Sequence, residues 1–217
     1  MKKLFFLPVI FLATSFAATA QNTRIGFTAG AVFANYHSKA EGESDNGDSK
    51  IGITAGVLFD ISAGKQFSFQ PALNFVQKGS KSKETYGGST MKASINVNTI
   101  EIPLNLVYNA GGTSGSFFFG AGPSLAFAIS GKVKFDDGST SVEENLKFGN
   151  TDNDDIKGMD LGINIMTGYC FQNGLLCAVN YNRGLSNLVP GGSANGTTKS
   201  NYFGIKLGYL LNKGIKK

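Results

Sequence analysis

Few residues in this chain have the type and spacing that catalysis demands. His37 is the single histidine, and Ser38 follows it directly. A base and its nucleophile must meet within hydrogen-bond reach. Neighbours on an extended strand point to opposite faces, so the pair reads as a solvated loop. Asp152, Asp154 and Asp155 gather carboxylates of the kind calcium prefers. Ile156 and Lys157, however, stand where the calcium-loop pattern needs a ligand and a glycine. Glu41, Glu43, Asp45 and Asp48 read as a second solvated acidic loop. Gly120-Ala121-Gly122 precedes no helix and so makes no phosphate loop. Two cysteines and one histidine give no zinc set. The reading therefore names no catalytic, cofactor-binding or metal-ligating residue, expects no cofactor, and expects no enzyme.

The elements that carry these residues say more. The chain has 217 residues, with 29 Gly, 18 Phe, two Cys and only 16% charged residues. The charged share falls below the ~25% usual for soluble domains. Mean hydropathy near zero (−0.04) argues against a helical membrane protein. Lys2 and Lys3 lead an apolar run from Leu4 to Phe16, and Ala18-Thr19-Ala20 precedes Gln21. That order is a secretory signal peptide over residues 1–20. Gln21, not a cysteine, stands directly after the cleavage point, so no lipid anchor is expected there. The remaining chain, 21–217, is read as one domain with 18 basic against 15 acidic residues, too balanced to argue for nucleic acid.

That domain shows no helix-length apolar run. It shows alternation, in eight segments: Thr23–Asn35, Lys50–Ser62, Gln66–Gly79, Ser94–Asn109, Ser116–Gly131, Gly158–Gln172, Leu175–Gly184 and Ser200–Leu211. In the second, Ile51, Ile53, Ala55, Val57, Phe59 and Ile61 oppose Gly52, Thr54, Gly56, Leu58 and Asp60. One face is rich in Phe, Ile and Leu. The other is Gly, Ser, Thr and Asn, with few of the Lys and Glu that coat a soluble surface. Small polar residues suit a narrow lumen with the apolar face turned to lipid. Each segment reaches the ~9–11 residues that cross a bilayer when tilted.

Connections alternate in phase with the strands. Tyr36–Ser49, Ser80–Ala93, Lys132–Lys157 and Leu185–Lys199 are long, the third with room for an extra hairpin near Val142–Phe148. The others are short, near Ala63-Gly64-Lys65, Ala110–Gly115 and Gln172-Asn173-Gly174. Long outer loops and short periplasmic turns are the habit of transmembrane barrels. Tyr108, Tyr169, Tyr209 and Phe59 fall near the inner ends of strands, and Phe33, Phe75 and Phe127 near the outer ends, as two interfacial belts require.

Glu101, Asp160 and Lys206 lie on the small polar face, with Asp60 near a rim. An unpaired buried charge is costly, so Lys206 is predicted to pair with Glu101 or Asp160. Cys170 and Cys177 flank the Asn173-Gly174 turn. A two-residue turn would set them opposite each other. A three-residue turn with Gly174 in a bulge would put them on opposite faces. Only the second register sends Leu175, Val179 and Tyr181 to lipid, and Asn180 and Asn182 inward. Free thiols are therefore predicted.

Several segments resemble the PorT-like outer-membrane β-barrel family of Bacteroidetes. They are Gln70-Pro71-Ala72-Leu73-Asn74-Phe75-Val76-Gln77-Lys78-Gly79, Ile100-Glu101-Ile102-Pro103-Leu104, Gly120-Ala121-Gly122-Pro123 and Tyr181-Asn182-Arg183-Gly184-Leu185-Ser186-Asn187-Leu188. The Ala20-Gln21 junction is in the same style. One departure is Ala72, where the family often carries Glu. The resemblance implies a barrel and links the group to protein secretion, a role that does not transfer from fold alone.

The combined expectation is an all-β fold: an eight-stranded antiparallel up-and-down transmembrane β-barrel, in the size class that OmpA and OmpX represent. It would sit as a monomer in a bacterial outer membrane, its lumen filled by side chains. Its partners would be outer-membrane lipid and protein or small-ligand contacts at the long loops. The alternatives are a small-solute pore, a secretion accessory, a surface lipid-modifying enzyme, and a soluble ligand-binding barrel.

Overall fold

The computed structural model describes residues 23–40, 43–86, 89–112, 115–151, 153–191 and 196–211. The signal-peptide expectation lies outside them. The strands are β1 (Thr23–Ala40), β2 (Glu43–Asn46), β3 (Asp48–Ser62), β4 (Phe67–Tyr86), β5 (Ser89–Gly111), β6 (Gly115–Asp136), β7 (Ser141–Asn145), β8 (Met159–Phe171), β9 (Leu175–Gly184) and β10 (Thr197–Leu210). Eight of them form a ring in the order β1-β3-β4-β5-β6-β8-β9-β10, and β10 pairs back onto β1. Every strand pairing in the ring is antiparallel, and apart from the closure each joins strands that follow one another in the chain once β2 and β7 are set aside. β2 and β7 sit outside the ring, paired to β1 and β6.

The register fixes the barrel's width. Paired residues lead from Ile25 to Phe59, through Pro71 and Leu104, then Pro123, Ile163, Arg183 and Asn201, and back onto β1 at Asn35. The start, Ile25, and the return, Asn35, differ by ten residues along β1. With a rise of ~3.3 Å and a strand spacing of ~4.8 Å, that stagger tilts the strands by about 40° and gives a backbone radius near 8 Å. Side chains of ordinary size fill such a ring.

The alternation sorts as the sequence predicts. Ile51, Ile53, Leu106, Phe119, Ile165 and Leu207 stand exposed on the outside, while Thr54, Asp60, Asn74, Asn105, Asn164 and Asn182 are buried within. On β6 the outward apolar side chains run from Phe117 to Ile129. At this tilt, that run covers about 30 Å along the barrel axis, a bilayer's hydrocarbon thickness. Tyr108 packs on Phe67 with ring centroids 5.4 Å apart, and Tyr169 meets Phe117 and Phe171 at 4.8 Å each. These rings build the inner aromatic belt. At the 172–174 turn Gly174 takes φ +92°, a left-handed angle that glycine adopts without strain. Cys170 therefore faces Leu176 and Tyr169 faces Cys177, the predicted bulged register, and both thiols are free.

The upper ends differ from expectation. Ser80–Ala93 is not a loop. β4 and β5 stay paired from Lys81↔Ser94 up to Tyr86↔Ser89. The anticipated extra hairpin appears as β7, which pairs with β6 from Lys132↔Asn145 to Asp136↔Ser141. β4 to β7 thus continue past the ring as a four-stranded sheet. Its polar outward row reads as loop in one dimension, and the partner strands that hold it extended are distant in sequence.

Candidate functional site: a filled lumen and an ordered outer end

Four layers of side chains occupy the lumen. At the short-turn end Arg24 holds Asp60, with Nη2 2.5 Å and Nε 3.0 Å from Oδ2, and Gln70 Nε2 donates to Asp60 Oδ1 at 2.8 Å. Arg24 is absent from the sequence-derived set of lumen charges because it stands at the start of the first strand. Above it Leu58, Val107, Phe118, Leu176, Ala178 and Leu210 form an apolar belt inside the barrel. An amide ladder follows. Asn180 Nδ2 donates to Asn164 Oδ1 at 2.9 Å, and Asn164 Nδ2 donates to Asn105 Oδ1 at 3.0 Å.

The next layer carries the charge. Lys78 Nζ lies 3.1 Å from Glu101 Oε2 and 4.0 Å from Asp160 Oδ2, with Lys78 and Glu101 almost fully buried. Tyr202 Oη donates to Glu101 Oε1 at 2.5 Å, and Ser200 Oγ donates to Asp160 Oδ2 at 2.5 Å. The ammonium of Lys78 also sits 5.3 Å from the centre of the Tyr202 ring. The predicted pairing of Lys206 with Glu101 or Asp160 is therefore corrected: Lys78 takes both acids. Lys206 makes no ion pair among the described residues. The tilt and stagger of the strands bring the outer part of β4 level with β8. Position along a strand does not reveal that level. Lys78 shares strand parity with Asn74, a signal that was available in the sequence.

The outer mouth is closed by an apolar plug. Tyr36, Val97 and Leu188 are buried there, with Ile95, Ala128, Leu146, Phe148 and Ile156 packed on them. The segment between β7 and β8 supplies three of these residues and folds inward. Its carboxylates hold it together. Asp154 Oδ2 accepts from Thr151 N at 2.8 Å and from Thr151 Oγ1 at 2.6 Å, and Asp155 Oδ2 accepts from Lys147 N at 2.8 Å. The Thr151 hydroxyl and amide hold the Asp154 carboxyl below its ordinary range. Asp152, considered with them for calcium, lies outside the described residues. So does Glu41, as do the side chains of Glu43 and Asp45. Among the described residues no three His, Cys, Asp or Glu side chains converge as a metal set.

The remaining free space is small. A narrow cavity of about 60 Å³ runs from Arg24 past Leu58 and Phe118 to Asn105, Glu101 and Lys206, room for a few waters. A wider vestibule of about 650 Å³ opens at the short-turn end, beside Arg24, Asp60 and Cys170. Ser38 Oγ lies 2.9 Å from Thr198 Oγ1. His37 occupies the adjacent pair, opposite Lys199, so strand alternation directs it to the other face.

A closed antiparallel ring, apolar outside and polar within, is a transmembrane barrel of the outer-membrane type. The sequence matches the family model "Outer membrane protein beta-barrel domain" over residues 19–189. The chain belongs to that family, which places it in the bacterial outer membrane. Among solved structures it is similar to Ail, the attachment invasion locus protein of Yersinia pestis, at 11% identity and TM-score 0.43, covering 88% of this chain and 99% of Ail. It is also similar to OprG from Pseudomonas aeruginosa, at 15% identity and TM-score 0.42, covering 88% and 95%. A third is Neisserial surface protein A, at 12% identity and TM-score 0.38, covering 84% and 96%. No curated protein matches the sequence.

Proposed function

We infer that this protein is a closed, non-catalytic, monomeric barrel that acts through its outer end and not through a pore. The observation that carries the reading is the obstruction of the lumen at successive levels. The apolar belt around Phe118, the Lys78–Glu101–Asp160 cluster and the Leu146–Phe148–Ile156 plug narrow the described lumen to small cavities of about 60 and 20 Å³. The ordered sheet of β4 to β7 offers the contact surface. Its inward face carries exposed Met91, Phe135 and Val142, beside a crevice of about 350 Å³. Exposed apolar side chains of this kind mark interaction sites. We place export under the signal peptide of residues 1–20, with cleavage at Ala20–Gln21 and a mature domain of 21–217. The placement among PorT-like barrels rests on the segments quoted above. A secretion accessory role has that resemblance alone behind it.

Planar-bilayer recording of the purified protein tests the reading. No stable conductance above the bare membrane is expected. Regular open-channel steps would replace it with the small-solute pore.

A further inference from the structure

The outward face of the β4–β7 sheet differs from its inward face. Paired residues lie side by side on one face of a sheet. Lys81, Ser94, Lys134 and Glu143 form one such row, and Lys83, Lys92 and Asp136 the next. Lys132 stands one rung nearer the membrane, opposite Asn96. Lys50 reaches in from β3: its stem crosses the face of Gly79, and its Nζ lies 3.5 Å from Ile95 O. Asp48 stands beside Lys81 at the end of the first row, so six lysines share the face with three acids, Asp48, Asp136 and Glu143. Lys132 meets Glu143 at 2.5 Å. Among the described residues no carboxylate lies within ion-pair distance of Lys81, Lys83, Lys92 or Lys134, and all four are exposed.

The height of this face names its occupant. On β6 the last outward apolar side chain is Ile129, 57% exposed. A hydrogen-bonded polar row follows: Gln77 Nε2 donates to Asn98 Oδ1 at 3.2 Å, and Asn98 Nδ2 donates to Ser130 Oγ at 2.9 Å. Lys132 comes next. Three residues of tilted strand rise about 8 Å along the axis, the depth of a headgroup layer. Side chains pointing away from the barrel at that height meet lipid headgroups and nothing else of the barrel. A face with lysines in twofold excess over acids complements phosphate there.

We propose that Lys81, Lys132 and Lys134, with Lys50 beside them, bind the phosphate groups of phosphorylated outer-leaflet glycolipid. The site rests on the outward orientation of the long connections and stands whether or not the lumen conducts. The full-length protein is placed in phosphatidylcholine nanodiscs doped with phosphorylated lipid A or its dephosphorylated form. Bound lipid is then counted by native mass spectrometry. About tenfold preference for the phosphorylated lipid is expected, the size that one well-placed charge pair supplies. The Lys81→Gln/Lys132→Gln/Lys134→Gln variant loses the preference, the matching Lys→Arg variant keeps it, and Lys65→Gln at the short-turn end keeps it. The heat-dependent gel shift reports folding of each variant, and Lys134→Gln alone, halving the preference or more, substitutes if the triple variant fails to fold. Equal retention of both lipids, or a preference surviving in the triple glutamine variant, overturns the site. Inorganic pyrophosphate binding as tightly as the lipid overturns the lipid as its occupant. Channel activity in the same discs would sink the closed-barrel reading without touching this one.

Discussion

Removing Lys78 tests the charge layer of the lumen. Its ammonium faces Glu101 at 3.1 Å and Asp160 at 4.0 Å. At an effective dielectric near 20, those separations are worth roughly 5 and 4 kcal/mol of gross attraction, most of it offset by taking the three charges out of water. Lys78→Met keeps the volume and deletes the cation. It leaves two carboxylates facing each other in a closed lumen. Such an uncompensated charge costs about 3–5 kcal/mol. Lys78→Met/Glu101→Gln removes one of the stranded charges and keeps an acceptor for the Tyr202 hydroxyl, so it should recover about half of that loss. Lys206→Met deletes a cation with no ion pair and should cost about 1 kcal/mol or less. The assay is urea unfolding in lipid vesicles, with the folded fraction read from the unboiled gel band. A Lys78→Met loss under about 1 kcal/mol, or a Lys206→Met loss as large, would refute the assignment.

Three further outcomes follow from the geometry. Gly168 faces the lumen, where an added Cβ would collide with the Cys177 carbonyl oxygen and lie 2.9 Å from Ala178 Cα. Gly168→Ala should therefore cost about 1–3 kcal/mol in the same unfolding assay, and an unchanged midpoint would contradict the register. Alkylation of the denatured protein without reductant should add two adducts by mass, one each at Cys170 and Cys177, whereas unmodified protein would mean a disulfide. The carboxyl of Asp154 titrates below its ordinary range because Thr151 donates to it. A group depressed by folding stabilises above its unfolded pKa and loses that contribution as pH falls through the folded one. The Thr151 amide resonance should therefore stay at its neutral-pH position through the ordinary carboxylate range and move only below it. Movement within that range would show the bond is not formed.

The strands, their faces and the short turns were legible because they are local. Alternation of Ile51, Ile53 and Phe59 against Thr54 and Asp60 states which side is wet, whatever lies next to the strand. The lower strand ends agree with the sequence reading to within two residues, from Thr23 of β1 to Leu210 of β10. The bulged turn at Gly174 was legible for the same reason: only one register turns Asn180 and Asn182 of β9 inward. Local reading failed where the partner was remote. Ser80–Ala93 looked like a loop because Lys81, Lys83 and Lys92 make one side charged and Ser80, Ser82 and Glu84 interrupt the other. That other side also carries Met91 and Ala93, and pairing of β4 with β5 and of β5 with β6 holds it as sheet.

The sequence by itself determined the class of protein: apolar outside, small polar inside, long and short connections in turn. Tertiary structure alone decided which charges meet. A ring staggered by ten residues lifts each strand relative to the next, so side chains far apart in sequence arrive at one level. That offset gives Glu101 and Asp160 to Lys78, leaves Lys206 beside the cavity, and gathers Lys81, Lys132 and Lys134 on one face above the membrane. No pattern along a single strand contains it, because it is a sum over every pairing around the barrel.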